Sequence, residues 1–568
     1  MTNLNGRARR KNTYDAIVVG SGITGGWAAK ELTERGLKVL MIERGRKVEH
    51  QADYENETKA PWDLPYRGVG DPQVMKDYAN SVPFSNEWNY QFFVNDTANP
   101  YQTPKEAPFD WVRGYQQGGK SLIWGRQCYR WSDLDFGANK RDGNGHDWPI
   151  RYADIAPWYD HVESFVGVSG STEGLSQLPD GKFQPPMALN HLEKVFKAKI
   201  EADHPGRKLI IGRTANMTQD KPELGRTRCQ YRNICSRGCS YGAYFSTQSA
   251  TLPAAVATGR LTVINDSRVV GVDYDPATKR ATGVRIVNET TKATATHKAR
   301  IIFLCAGTLN TVQLLLLSRS ESFKNGLGNN RDRLGRGIMD HAMAFVAATV
   351  PGHLDREYFG WRPTGFYIPR FRNATEPKEG MLRGYGIQGA AVRAGWQRGL
   401  GAGGIGKELK DELRQMGGWS VLLVPFAECL PRDTNRATLD ETGTDKVGLP
   451  QLHIDMRWSD NELALVRDGA AEGAAMLEAM GGKIVYRFDK PSKAPGGAIH
   501  EMGGAAMGND PESAVINAFS QMHDVANVFV TDGAAMASSA CQNPSLTYMA
   551  LTARACANAV SMLKEGKL

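Results

Sequence analysis

The first apolar residues of the chain already carry a rhythm. Positions 15–19 (DAIVV) form a short run dominated by apolar residues, 23–35 mix apolar and polar residues at helical spacing, and 38–42 (KVLMI) form a second run. Short apolar runs on either side of a helix predict parallel strands buried on both faces. Strand-like runs return at 261–264, 268–273, 282–287 and 300–305, followed by a helix over 308–318. Between these regions, 188–202 is amphipathic with a helical period. From 345 to 488 the pattern changes to strands at 345–350, 365–370, 419–425 and 452–457, set apart by turns, with a helix over 461–480. That pattern predicts a largely antiparallel second layer packed beside the first. The end of the chain, 527–567, reads as a strand, a turn at Asp532-Gly533 and a long helix that closes back on the first region.

Two stretches have no clear period. Positions 50–108 are polar and aromatic, with Trp62, Tyr66, Trp88, Tyr90 and Phe92 among prolines and glycines, as in a covering loop or lid. The glycine-rich 399–406 reads as a mobile loop.

The loop between the first strand and helix holds Gly20, Gly22 and Gly25, a GxGxxG. Gly20 permits a tight turn, Gly22 lets backbone approach a pyrophosphate, and Gly25 lets the helix pack closely on the strand. Unpaired amides at the helix start then meet negative charge. Glu43, at the end of the second strand, is placed to accept both ribose hydroxyls. With strand, helix, second strand and acid all present, the unit over 14–43 predicts a dinucleotide site.

Composition narrows the picture. At 568 residues, two joined domains are expected, and 41% hydrophobic with 23% charged residues indicate an ordinary globular protein. The apolar runs, such as 311–317 and 419–426, are too short to span a bilayer, so no transmembrane segment is expected. The net charge of +8 comes from 69 basic and 61 acidic residues, which reads as a scattered solvated surface rather than a nucleic-acid patch, and no nucleic-acid partner is expected. Arg7, Arg9, Arg10 and Lys11 precede the first strand directly, with no separate apolar segment, so no signal peptide is expected on this chain.

Three of the eight cysteines, Cys229, Cys235 and Cys239, form C-x5-C-x3-C in an Arg-rich loop. Three thiolates suit a cluster with one cysteine missing, a disulfide with a free thiol, or a zinc site completed by another ligand. Cys305 and Cys556 sit in apolar patterns and read as packing residues.

Three separated blocks agree with one family. The nucleotide unit, GGKSLIWG at 118–125, and HEMGGAAMG at 500–508 with TDGAAMASSACQNPSLT at 531–547 resemble the glucose-methanol-choline (GMC) oxidoreductases, FAD enzymes that oxidise alcohols. The resemblance implies an α/β plus α+β fold: a Rossmann-like FAD-binding domain with a substrate domain built on an antiparallel sheet. The implied division is 1–150 for the first part of the FAD domain, including the lid-like 50–108, and 151–225 for the first part of the substrate domain. Positions 226–340 carry the cysteine loop and the second FAD part, 341–495 the rest of the substrate domain, and 496–568 the third FAD part.

The resemblance implies His500 as the base that takes a hydroxyl proton, with Asn543 holding the substrate hydroxyl; the other ten histidines read as structural. It implies FAD contacts at Gly20, Gly22, Thr24, Gly25, Glu43, Arg44, Gly118, Gly119, Ser121, Trp124, Val270, Asp532, Gly533 and Asn543. The chain departs from the usual motif at Gly504, where Thr is common, and at Ala506, where a basic residue is common. Ile123 stands where some sugar-oxidising relatives attach the flavin through histidine, which implies noncovalent FAD.

The cysteine spacing is similar to that of membrane-linked bacterial sugar dehydrogenases of this family. It implies a [3Fe-4S] cluster on Cys229, Cys235 and Cys239, a small partner subunit carrying the export signal, a cytochrome acceptor and a periplasmic location; a cytoplasmic enzyme is the alternative. GRGIMDHA at 335–342 and CQNPSLT at 541–547 resemble the gluconate, fructose and glucoside-3-dehydrogenase branch, implying a sugar or glycoside oxidised at C3. Trp62, Trp124, Trp361 and Tyr367 are candidate sugar-stacking residues, although each alone is more often core. An oxygen-using oxidase, a redox-neutral lyase and a noncatalytic electron-transfer subunit are the rival readings.

Overall fold

The structure, a computed structural model, describes residues 13–568 apart from 83, 357, 359, 361, 396, 397, 400 and 401. The basic N-terminal residues and Trp361 therefore lie outside the described residues, as do two positions of the 399–406 loop.

The first sheet runs in the order Leu261–Ile264, Val39–Ile42, Thr13–Val19, Thr294–Leu304, Arg280–Asn288, Ser267–Asp275, with Val528–Val530 also paired to Thr294–Leu304. Its central pairs are parallel, with Ala16 opposite Val39 and Ile17 opposite Ile302. These strands are buried because helices cover them: Ile23–Glu34 packs against the terminal helix Ser545–Lys564. Ser267–Asp275, Arg280–Asn288 and Thr294–Leu304 form an antiparallel meander on the other side.

The second sheet is antiparallel, in the order Lys483–Arg487, Val346–Val350, Trp419–Ala427, Tyr385–Arg393, Phe366–Ile368, Ile210–Ile211, with Ala342–Met343 also paired to Trp419–Ala427. Helix Asp460–Ala479 packs on it through Leu465, Val466, Ala470 and Leu477, all in its core. The strand expected over 452–457 is Pro450–Asp455, and it belongs elsewhere. It pairs with Arg436–Thr444 as a separate two-stranded ribbon that packs against helix Thr308–Leu317. Tyr385–Arg393 escaped the sequence pattern because its two glycines, Gly386 and Gly389, interrupt the apolar run.

The 50–108 segment contains only short helical turns. It packs over the cysteine loop: Glu57 accepts hydrogen bonds from Arg232 Nη2 (2.5 Å), Ser240 N (3.0 Å) and Ser240 Oγ (2.6 Å). Among the described residues, no helix is long and apolar enough to cross a membrane.

Candidate active site

A cavity of about 600 Å³ opens between the two sheets, within the range of small-molecule and cofactor pockets. One end is built by the glycine turn. Gly20 has φ +92°, and a Cβ there would lie 2.6 Å from the Cys305 carbonyl. A Cβ on Gly25 would lie 2.0 Å from the Gly20 carbonyl, so that residue serves packing and does not line the cavity. Gly22 lines it, and a Cβ there would meet nothing within 4 Å. No side chain caps the helix that starts at Ile23, and its first turn has no acid. The amides of Ile23 and Thr24, at the cavity wall, therefore have no capping side chain of the helix's own.

Glu43 lines the same end. Its carboxylate accepts from Ser21 N (3.0 Å), Ser21 Oγ (2.6 Å) and Gly45 N (2.9 Å). Burial pushes its pKa up. Three of the roughly four acceptor positions of a carboxylate are thus used, leaving room for one ligand hydroxyl where the sequence led us to expect two. Thr24, Arg44, Gly119, Ser121, Trp124, Asp532, Gly533 and Asn543 also line the cavity. Gly118 does not; its amide donates to Ser21 Oγ (2.9 Å) and so braces the cradle from behind. Nor does the Val270 side chain. Val269 takes that position, and Val270 falls at a register shift against Arg280–Asn288, where its backbone lies outside the regular ladder. Asp532 accepts from Gly307 N (2.9 Å), Thr311 Oγ1 (2.5 Å) and Ala534 N (3.0 Å), while burial pushes its pKa up to about 6.

The other end is assembled around His500. His341 Nε2 faces the Ala540 carbonyl, which only accepts, so this nitrogen carries the proton and His341 Nδ1 is an acceptor. His341 Nδ1 lies 2.8 Å from His500 Nδ1, which must then donate. The consequence is a bare Nε2 on His500, and Asn543 Nδ2 donates to it at 3.1 Å. Asn543 is in turn oriented by Gln388 Nε2, which donates to its Oδ1 at 2.7 Å. Burial, with His341 and Lys120 nearby, holds the His500 pKa well below the usual imidazole range, and burial drives His341 down to about 4. Both rings are neutral at pH 7.

Backbone strain supports this arrangement. Ile499, just before His500, has φ +63°, an uncommon conformation for a β-branched residue. Asp340 holds the segment by accepting from the amides of Gly496 (2.8 Å), Ala498 (3.1 Å) and His500 (3.0 Å). Burial beside Glu501 pushes the Asp340 pKa up to about 7. Lys120, also on the cavity wall, pairs with Glu501 at 2.7 Å.

Of the other ten histidines, all expected to be structural, His341 is in direct contact with His500. Sequence reasoning took GRGIMDHA only as a branch marker and passed over Asp340 and His341. Adjacent buried Asp and His in that motif were the available signal. The departure at Gly504 has a local cause: its φ is +98°, and a Cβ would lie 2.6 Å from Val312 Cγ2, so Thr does not fit here.

The aromatic candidates separate. Trp124 lines the cavity and donates to the Phe245 carbonyl (2.8 Å), whereas Trp62 is 68% exposed and away from it. Tyr367 is core, stacked on Tyr129 at 4.1 Å.

Cys229, Cys235 and Cys239 are free and partly buried. Their loop lies directly behind the cavity, since Arg126 lines the wall and donates to the Cys235 carbonyl at 3.5 Å. Cys229 Sγ accepts from Tyr231 N (3.4 Å), and Cys239 Sγ lies 4.0 Å from Arg232 Nη2. Among the described residues, no group of three or more His, Cys, Asp or Glu side chains is arranged to hold a metal ion. The loop as it stands does not fit a cluster.

Comparison with known proteins agrees with the geometry. The N-terminal pattern of the GMC oxidoreductases matches residues 14–343 and the C-terminal pattern matches 431–552. The chain is similar to the fructose dehydrogenase large subunit of Gluconobacter japonicus, 27% identical over 97% of this chain and 98% of that one. It is also similar to the 2-methyl-1,2-propanediol dehydrogenase of Mycolicibacterium austroafricanum, 26% identical over 95% and 94%. In fold, it resembles the crystal structure of pyridoxine 4-oxidase from Mesorbium loti, with TM-score 0.58, 17% identity and coverage of 96% and 98%.

Proposed function

The chain belongs to the GMC oxidoreductase family and is an FAD-dependent oxidoreductase; from that premise we propose a dehydrogenase that oxidises a sugar or glycoside hydroxyl, preferably the C3 secondary alcohol. The observation that carries this reading is the bare Nε2 of His500 at the cavity wall, its tautomer fixed through His341.

The glycine turn, the uncapped helix start and Glu43 fit the pyrophosphate and ribose of FAD held without a covalent bond. Bound there, FAD would supply the hydride acceptor. His500 takes the hydroxyl proton on Nε2, for which a neutral imidazole at pH 7 is suited. Asn543 places an amide donor beside that nitrogen, where it holds the hydroxyl oxygen but takes no proton. Asp340 keeps His500 in position, and Lys120 adds a positive charge where negative charge develops on the alcohol oxygen.

Dehydrogenases among the similar proteins, one of them named a large subunit, favour an external electron acceptor and a partner chain. Export with a small subunit, a cytochrome acceptor and periplasmic work belong to the same proposal. A [3Fe-4S] cluster on the three cysteines rests on their spacing alone, and no electron path is drawn through them.

The test is an anaerobic half-reaction followed by iron analysis and low-temperature electron paramagnetic resonance. Bleaching of the flavin by glycosides is the expected result, and an oxidised three-iron signal would show that the three cysteines do take up a cluster. Iron-free protein would remove the cluster. In a parallel turnover in air, peroxide formed in step with substrate would replace the dehydrogenase by an oxidase, and absence of anaerobic bleaching by any sugar or glycoside would overturn the donor class.

A further inference from the structure

The wall that faces His500 comes from the antiparallel sheet, and its composition restricts the donor. Five residues of that region line the cavity: Met343, Phe345, Gln388, Val424 and Phe426. Register explains why four of them share a surface. Met343 is paired with Phe426 and Gln388 with Val424, while Val424 and Phe426 are two apart on one strand and so point the same way. Met343, Phe426 and Ala498 form a small apolar cluster, with Phe345 and Val424 packed against it. The Phe426 ring centroid is 5.7 Å from that of His500, so the apolar surface begins beside the base. Gln388 is the polar member, and its amide nitrogen is already donated to Asn543.

A free monosaccharide presents hydroxyls on each side of the carbon being oxidised. Against Phe426, Met343 and Val424 those hydroxyls lose water and gain no partner, which is unfavourable for every group so placed. The polar partners near His500 are Asn543 and the Lys120–Glu501 pair, which suffice for the reacting hydroxyl and its immediate neighbours. They do not extend along the sheet. An aromatic group bound there contacts Phe345 and Phe426 edge to face and buries apolar surface on both sides.

We infer that the preferred donor is a glycoside with an aryl aglycone, whose ring lies on the Met343, Phe345, Val424 and Phe426 wall while the sugar is presented to His500. This assignment rests on the glycoside reading given above and specifies it. The wall acts on binding and orientation; the proton and hydride balance is unchanged, with the hydroxyl proton going to His500 and FAD, when bound, supplying the hydride acceptor.

The experiment compares matched methyl and phenyl β-glycosides of glucose, galactose and mannose as reductants of the FAD-loaded enzyme under anaerobic conditions. Phenyl glycosides are expected to exceed their methyl partners by about tenfold or more in kcat/KM. Equal values overturn the assignment and leave the oxidoreductase reading intact. Val424→Thr keeps the shape of the side chain but adds a hydroxyl, and Phe345→Gln changes a half-buried position. Each is expected to cut the phenyl preference severalfold, and an unchanged ratio in both also overturns it.

A second readout does not depend on turnover. Phenyl 3-deoxy-β-D-glucopyranoside, which lacks the hydroxyl to be oxidised, should perturb the absorbance of bound flavin with a Kd about tenfold below that of its methyl counterpart. Equal affinities overturn the aryl wall. If no glycoside reduces the flavin but the phenyl ligand still binds more tightly, the C3-oxidation reading fails while the wall stands.

Discussion

The nucleotide end of the cavity and the reacting end are made from different kinds of sequence. At the nucleotide end, Gly20, Gly22, Thr24 and Glu43 come from one βαβ unit, and the link that braces the cradle, Ser21 to Glu43, spans only 22 positions. At the reacting end, His341 lies 159 positions from His500, and Gln388 lies 155 from Asn543. The first is a local motif whose geometry is set by a turn. The second exists only once two sheets have met, so its parts carry no spacing signal.

The largest effect tests the reacting end. His500→Ala should lower the rate of flavin reduction by roughly 10²-fold or more, because the proton acceptor is gone. FAD content should stay at the wild-type level, since the cradle glycines and Glu43 are untouched. Loss of FAD along with the rate would mean that the two ends are not separable.

The next test sharpens the contrast within the cradle. Gly25→Ala drives a Cβ to 2.0 Å from the Gly20 carbonyl and should cost about 3 kcal/mol or more through backbone displacement. Gly22→Ala meets nothing of the protein within 4 Å, and its φ of −64° suits alanine. It should fold normally and lose FAD affinity by about tenfold. Thermal melting of the two apoproteins, beside FAD titration, checks the pair. Normal FAD binding by Gly22→Ala would show that the pyrophosphate does not approach this backbone.

These particulars explain what the sequence could and could not disclose. The cradle was legible because each glycine has a fixed job in a short turn. The central strands of the first sheet followed from short apolar runs such as 16–19 and 39–42, and the terminal helix from its helical spacing of apolar residues. The ribbon of Pro450–Asp455 was misplaced because a strand's pattern fixes its exposure and leaves its partner open. His500 and Asn543 were found through motif resemblance, whereas Gln388, which orients Asn543, has no motif of its own, and His341, which orients His500, lies in GRGIMDHA, which carried no stated role beyond a branch marker. Asp340 is similar: three amides converge on its carboxylate from a segment about 160 positions away.

A smaller effect falls on His341. His341→Phe keeps a ring but removes the acceptor that fixes the His500 tautomer, and should slow flavin reduction by roughly tenfold. Nitrogen-15 NMR of the histidines gives the decisive readout: wild type should show His500 protonated at Nδ1 and bare at Nε2, and the variant a mixture. An unmixed tautomer in the variant would reduce His341 to packing.

The smallest effect is on pH, and there the two ends should part company. The His500 pKa is depressed by burial, so the ring is already neutral above pH 6.5, and flavin reduction should be flat from pH 8 to 6.5 and fall only at lower pH. The cradle helix answers to a different group. Glu31 accepts from His161 Nε2 (2.7 Å) and pairs with Lys30 and Arg35; although burial opposes the charge, these partners bring its pKa down from 4.5 to about 2. A depressed carboxylate stabilises the fold above its unfolded pKa, and this contribution is lost as pH falls from about 4.5 toward 2. Glu31→Gln should lower the melting temperature at pH 7 and have little effect near pH 2. A Glu31→Gln penalty that persists at pH 2 would show that its worth is packing, and a rate that already falls between pH 8 and 6.5 would show that His500 is not held neutral there.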